Sequence, residues 1–142
     1  MAIKVTKVTL WRKEVDNRPG VLFETLEPLA KSNLRVVMGY GIPEQPTRAV
    51  VELFPISGKS ATRAAEQAGL RPSEIPCVLA EGDDRPGLGR DMARNIADQG
   101  INIHFLMAET IGRRFSAVFG FGNDADAKKA MAAIKTAARR KK

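Results

Sequence analysis

The sequence predicts an α+β protein built from two copies of one β-α-β-β-α unit. The first observation behind this is an internal repeat. Asp16-Asn17-Arg18-Pro19-Gly20-Val21 returns as Asp83-Asp84-Arg85-Pro86-Gly87-Leu88, and the offset of 67 residues holds without a gap from Glu14/Glu81 through Ala30/Ala97 to Val51/Val118 and Phe54/Phe121. The second is that each copy of the loop is preceded by a strand-like run and followed by a helix-like stripe. The third is a turn-rich segment, Gly69 to Pro76, that separates the copies and places the expected domains at residues 1–71 and 72–142.

Taken in order, Ile3 to Val15 reads as one long strand. Its apolar residues Ile3, Val5, Val8, Leu10 and Trp11 change parity, which a bend near Lys7 reconciles. Pro19 suits the first position of a helix, where its missing N–H costs nothing. Val21, Leu22, Leu26, Leu29 and Ala30 then form the apolar stripe, with a kink at Pro28. Asn33, matched by Gly100 in the second copy, is a residue type that ends helices in the left-handed conformation. Two strands follow, Leu34 to Gly41 and Arg48 to Pro55, joined by a loop containing Pro43 and Pro46. Ser57 to Ala68 reads as a serine-capped helix with an alanine face.

In the second copy the strand is Cys77 to Glu81, and the helix is Pro86 to Gln99 with Leu88, Met92 and Ile96 inward. Ile101 to Glu109 and Arg113 to Gly122 form the strand pair. A last helix starts near Asp124 with Ala127, Ala130, Met131, Ile134 and Ala138 on one face. Helices on one side of a mostly antiparallel sheet, twice over, make the ferredoxin-like type of α+β arrangement. Neither copy shows a clear fourth strand, and the long first strand is available to supply part of one.

The 142 residues are 44% hydrophobic, too apolar and too regular for a disordered chain. A half of this size is marginal alone, so shared packing and pairing of whole chains as a homodimer are expected. The net charge is +7, but Asn123 to Lys142 holds seven cations against two anions. The body is therefore nearly neutral and the C-terminal helix and tail are basic. Cations in a last helical turn suit the helix dipole, which argues against a nucleic-acid or membrane partner. The single Cys77 excludes an intramolecular disulfide and reads as a small core residue. No run approaches the length of a membrane span and the N-terminus lacks an apolar signal core, so a cytoplasmic protein is expected.

The chemistry that composition permits is mostly missing. Gly58-Lys59-Ser60 follows a strand and opens a helix, yet a phosphate loop needs glycine where Leu53 stands. Gly87-Leu88-Gly89 starts a dinucleotide fingerprint, but Met92 occupies the third glycine position. His104 is the only histidine and has no nucleophile near it in sequence. Asp83-Asp84, Asp91 and Asp98 read as solvated charges. Phe119 and Phe121 lie two apart on a strand without basic neighbours, so core packing is preferred over base stacking. No catalytic residue, metal ligand or cofactor site is expected, and the chain reads as a non-enzyme.

What remains is the repeated loop. It sets a short polar side chain before a helix whose first N–H groups are free to accept a carboxylate, while an adjacent Asn or Asp can meet an ammonium. Turn shaping and helix capping by the same residues is the equally weighted alternative.

Asn17-Arg18-Pro19-Gly20-Val21-Leu22 with Leu34-Arg35-Val36 resembles the signature of ACT domains, the amino-acid-sensing regulatory modules. Arg85-Pro86-Gly87-Leu88 with Ile96-Ala97-Asp98-Gln99-Gly100-Ile101-Asn102-Ile103 resembles it more closely. The resemblance implies βαββαβ repeats of ferredoxin-like topology and an amino-acid ligand held at an interface between paired domains. Carried over residue by residue, it implicates Asp16, Asn17, Gly20, Val21 and Leu22 in the first copy. In the second it implicates Asp83, Asp84, Gly87, Leu88 and Gly89, with Asn102 and Ile103 facing a partner's loop. Asn17 and Asp84 would take the ammonium, and the amides after Gly20 and Gly87 the carboxylate. Val15 and Gly82 stand where some members carry a histidine, and Gly89 where a large apolar residue is usual. The resulting expectation is a regulatory protein that binds a small molecule, an amino acid, and acts on an enzyme or regulator. The alternatives are an assembly module of the same fold and a nucleic-acid-binding module.

Overall fold

The computed structural model describes residues 3–139, so Arg140, Lys141 and Lys142 of the basic tail lie outside the described residues. The described chain forms two four-stranded antiparallel sheets, each with its own helices and core. The fold is α+β and ferredoxin-like, as the alternation of strand and helix periods predicts.

The division of the chain differs from the expected cut after residue 71. One unit is Thr9–Glu74, and the other joins residues 3–8 to 75–139. The cause lies in the first segment. The expected long strand is two strands, β1 (Lys4–Val8) and β2 (Trp11–Asp16), and they belong to different sheets. The parity change in the sequence marks a passage from one sheet to the other rather than a bulge within one strand.

In Thr9–Glu74 the elements after β2 are α1 (Val21–Leu26), β3 (Val36–Ile42), β4 (Gln45–Phe54), α2 (Lys59–Gln67) and β5 (Arg71–Pro72). The sheet order is β3-β4-β2-β5. A 3-10 turn over Glu27–Leu29 follows α1 directly, with Pro28 inside it, so the proline converts the helix rather than kinking it. Among the described residues none other than glycine has positive φ, so Asn33 does not make the expected left-handed cap, whereas Gly100 does at φ 73°. The loop between β3 and β4 is short, because β4 begins at Gln45 and includes Pro46. Gly58, not Ser57, is the N-cap of α2, and no side chain caps that helix. Val15, Leu29, Val51, Leu53, Ala65 and Leu70 form the core, with Val21 and Leu26 packed against it. Leu22, expected in the stripe, is exposed.

The second unit contains β6 (Cys77–Asp83), α3 (Leu88–Asp98), β7 (Ile103–Ile111), β8 (Arg114–Phe121) and α4 (Asp124–Arg139). Its order is β1-β6-β8-β7. Place by place, β6, β7 and β8 repeat β2, β3 and β4. The position next to the first strand of the repeat is held by β5 in one sheet and by β1 in the other. The last described element, α4, is a helix, yet this sheet keeps its outer strand, because Lys4↔Glu81 through Val8↔Cys77 pair antiparallel. Leu88, Met92, Ile96, Phe119, Phe121, Ala127, Ala130 and Ile134 make the core, and the Phe119 and Phe121 rings stack with centroids 6.2 Å apart. Cys77 is fully buried, as its strand setting predicts.

Removing residues 1–8 should therefore injure the unit formed by 75–139 and spare Thr9–Glu74. Native-state hydrogen exchange is expected to show lost protection along β6, with the amides of β2 to β4 unchanged.

Candidate functional site

Each repeated loop is a Pro-Gly turn set between a first strand and a helix. Gly20 has φ 87° and ψ −13°, Gly87 has φ 81° and ψ 0°, and the bonds Val21 N to Arg18 O (3.4 Å) and Leu88 N to Arg85 O (3.2 Å) close the turns. This is type II geometry, with Pro at the second position and Gly at the third, where L side chains are strained. Pro19 and Pro86 thus precede the helices by two residues instead of opening them. The glycines are the N-caps, and neither Asp nor Asn supplies a side-chain cap. Capping, the alternative reading of these polar residues, does not describe them.

The polar residues instead tie each loop to the strand hairpin beside it. Asn17 N donates to Thr47 O and Asp84 N to Arg113 O, both at 2.8 Å. Asp16 pairs with Arg48 at 2.7 Å and Asp83 with Arg114 at 3.0 Å, in each case directly across the strand pair. Asn17 Nδ2 donates to Pro46 O at 3.2 Å, and a Cβ on Gly41 would stand 3.3 Å from that nitrogen. Gly41 therefore leaves the room in which the Asn17 amide sits. The helix starts leave the N–H groups of residues 22 and 23, and of 89 and 90, without intrahelical acceptors.

The two loops differ in what their arginines do. Arg18 bonds Glu24 in the open, at 2.6 Å with the side chains 47% and 54% exposed. Hydrogen bonding to Arg18 holds the Glu24 carboxyl below its ordinary value. Arg85 is enclosed: it pairs with Asp91 at 3.0 Å, the side chains being 19% and 11% exposed, and donates to Ala137 O at 2.8 Å near the end of α4. Asp91, expected on a solvated face, is buried and takes a second guanidinium from Arg90 at 2.9 Å. Hydrogen bonds from Arg90, then Arg85, hold its carboxyl below the ordinary 3.8.

The other expected site residues divide by burial. Asp16, Asn17, Gly20, Leu22, Asp84, Gly87, Gly89 and Asn102 are exposed, and Val21, Asp83 and Ile103 are half-buried. Leu88 is in the core and offers a ligand only its backbone. Arg48 and Arg114 were not anticipated; both lie near the start of the third strand of their repeat, directly opposite the aspartates that end the first strand, which is the signal that would have paired them. Gly58-Lys59-Ser60 lines a cavity of about 620 Å³ together with Lys31, Ser32 and Ser57, and this cavity includes none of the loop residues. His104 is exposed on β7. Among the described residues no group of three or more His, Cys, Asp or Glu is placed to hold a metal ion, and no helix is long and apolar enough to cross a membrane.

This arrangement of strands and loops recurs in solved structures. A protein from Bacteroides thetaiotaomicron superposes with a TM-score of 0.72 at 16% identity, covering 93% of this chain and 89% of that one. The ligand-free regulatory subunit of aspartate kinase from Thermus thermophilus superposes at 0.61 and 19% identity, covering 96% and 97%. The chain has an ACT-type fold. A third structure, described as a C-terminal regulatory domain of aspartate kinase from Porphyromonas gingivalis, gives 0.54 at 12% identity, covering 98% and 97%. No family model matches the sequence, and no curated protein matches it. At these identities the shared property is the fold.

The contrast between the ACT-type loops is testable by thermal melting. Arg85→Ala is expected to lower Tm clearly, because it strips a buried carboxylate and the end of α4 of their donor. Arg18→Ala is expected to leave Tm nearly unchanged, since exposed pairs contribute little.

A second expectation concerns pH. A depressed folded pKa means that the Asp91 contribution is complete above the unfolded carboxyl value, near 3.9, and is lost as pH falls below that value and through the lower folded one. Asp91→Asn should flatten the acid limb of a plot of Tm against pH.

Proposed function

We propose that the chain is a non-catalytic regulatory protein that binds an amino acid or a similar small metabolite at its Asp-x-Arg-Pro-Gly loops. The observation that carries this reading is the repetition of one loop construction. A type II turn ends at a glycine, a free helix start follows, and the polar residue before the arginine is held by backbone bonds to the neighbouring hairpin. Such a loop offers amide donors to a carboxylate and a polar side chain to an ammonium within one short segment. The same fold occurs in the regulatory subunit of aspartate kinase, which makes a catalytic partner the natural recipient of the signal. In this reading Asn17 and Asp84 take the ammonium and the amides after Gly20 and Gly87 take the carboxylate, with Asn102 and Ile103 facing a partner's loop. The protein works in the cytoplasm as a homodimer and needs no cofactor.

A second reading, assembly without a ligand, is favoured by the outer strands. Leu106 and Ile111 on β7 and Val37 on β3 are exposed apolar residues on sheet edges, where another chain can add a strand.

The deciding experiment is thermal stability against the twenty amino acids. A ligand that binds only the folded chain adds about 2.7 kcal/mol at 100 times its dissociation constant. A stabilising amino acid whose effect disappears in Asn17→Ala or Asp84→Ala supports the sensor. Silence across the panel, with self-association lost on charging Leu106, supports assembly.

A further inference from the structure

The unit Thr9–Glu74 contains a polar cavity that the repeated loops do not touch. Its walls come from two separate segments, the chain after the 3-10 turn and the start of α2. Lys31, Ser32 and Asn33 stand on one wall, and Ser57, Lys59 and Ser60 on the other. The volume of about 620 Å³ lies within the range of small-molecule sites. Between the walls Gly58 has φ 85°, and a Cβ placed on it would meet no atom within 4 Å. No protein atom fills the space beside it.

The polar side chains of both walls have no partner within the protein. Neither lysine makes an ion pair or side-chain hydrogen bond among the described residues, and neither does any of the three serine hydroxyls. Glu27 is the one anion of the lining, so two cations face one carboxylate. The site does not reduce to the start of α2, because Lys31 and Ser32 bring a charge and a hydroxyl from the other segment.

This inventory selects the ligand. Ammonium groups only donate hydrogen bonds, and hydroxyls can donate one each. An acceptor-rich dianion therefore matches the walls better than a single carboxylate does. A phosphomonoester brings about −1.5 to −2 charge and three acceptor oxygens at pH 7, and lysine binds phosphate as a point charge. Pro28, Pro55, Ala61 and Ala64 add small apolar surface for an organic part. No aromatic side chain lines the cavity to stack on a base, which argues against a nucleotide. The missing glycine at Leu53 agrees with that, since Gly58-Lys59-Ser60 contributes to an open cavity instead of a loop wrapped around phosphates.

We propose that this cavity binds the phosphoryl group of a small metabolite, with Lys31 and Lys59 supplying the opposing charge. None of its residues belongs to the repeated loops, so the site stands or falls apart from the amino-acid reading.

NMR of the full chain follows the amides of residues 31–33 and 57–61 during titration at neutral pH and fixed ionic strength. The probes are glycerol 3-phosphate, inorganic phosphate, acetate and glycerol. Saturable shifts in both segments are expected with glycerol 3-phosphate, weaker ones with inorganic phosphate, and none with acetate or glycerol. Joint replacement Lys31→Gln and Lys59→Gln should weaken the affinity at least tenfold. Both side chains are exposed, so the variant is expected to keep its Tm without ligand; should it melt early, the wild-type comparison of the four probes decides. Lys128→Gln with Lys135→Gln, which removes the same charge from α4, and Asn17→Ala should leave the affinity unchanged. Inorganic phosphate binding as tightly as the ester supports the site and makes the free ion its occupant. No saturable shift with either phosphate, an equal shift with acetate, or a full response in the Lys31 and Lys59 variant overturns the proposal. Loss of the response in the α4 variant overturns it as well, as general attraction of anions to a basic chain, and loss in Asn17→Ala moves the ligand to the loops.

Discussion

Both sheets depend on filling the position beside the first strand of the repeat. That strand, β2 in one unit and β6 in the other, follows the same pattern twice. It pairs on one side with the third strand of its repeat, and on the other side its N–H and C=O groups need a partner. The two-residue β5 provides this for β2 at Trp11↔Pro72 and Arg12↔Arg71. For β6 the supply is β1, five residues taken from the start of the chain. The need is greater there, because Cys77, Val78, Leu79 and Ala80 are all buried. A strand buried on both faces gains little from water at an open edge. The chain therefore passes from one unit to the other and back, and the repeat in sequence is not a simple division in space.

The same constraint bears on the loops. Each loop leaves its first strand at the end where an aspartate meets an arginine across the strand pair, and a backbone bond to the hairpin follows one residue later. The strand pairing thus sets the position of the turn, and the Pro-Gly pair sets the direction in which the helix leaves. The arginine between them is free to serve different ends. Arg18 stays on the surface, while Arg85 is drawn into contact with Asp91 and the last turn of α4. Two loops of nearly one sequence therefore differ in how their arginines are held. The difference comes from α3 and α4, since the buried Asp91 and the carbonyl of Ala137 are what enclose Arg85.

Much of the fold was legible because periodicity and punctuation agree along most of the chain. The inward residues Leu88, Met92 and Ile96 of α3, the start of α4 at Asp124, and the buried Phe119 and Phe121 all followed from spacing. The failures share a physical origin. Pro19 and Ser57 are residues that favour helix starts, but glycines at positive φ took over the caps, and local preference yielded to the turn. The stretch from Ile3 to Val15 read as one strand because each half of it has strand character. Which sheet each half joins is decided by distant partners, Cys77 to Glu81 for the first half and Arg48 to Leu53 for the second, and composition does not carry that information.

Residue pairs across strands are where the sequence was least informative and the site most dependent on structure. Asp16 and Asp83 stood out as members of a repeat, whereas their partners Arg48 and Arg114 looked like ordinary strand starts. Glu52 carried a signal that went unread: it is an ionisable residue inside the apolar run Val50-Val51-Glu52-Leu53, and such residues are seldom fully buried without a reason. Its neighbours across the sheet explain the surroundings. Tyr40 satisfies one oxygen, and Arg12 lies opposite with its own charge directed toward Glu14. Replacement of Glu52 by an apolar residue would remove the orphaned oxygen and simplify packing, as it does for many buried ion pairs. Stability alone therefore gives no reason for a glutamate at this position.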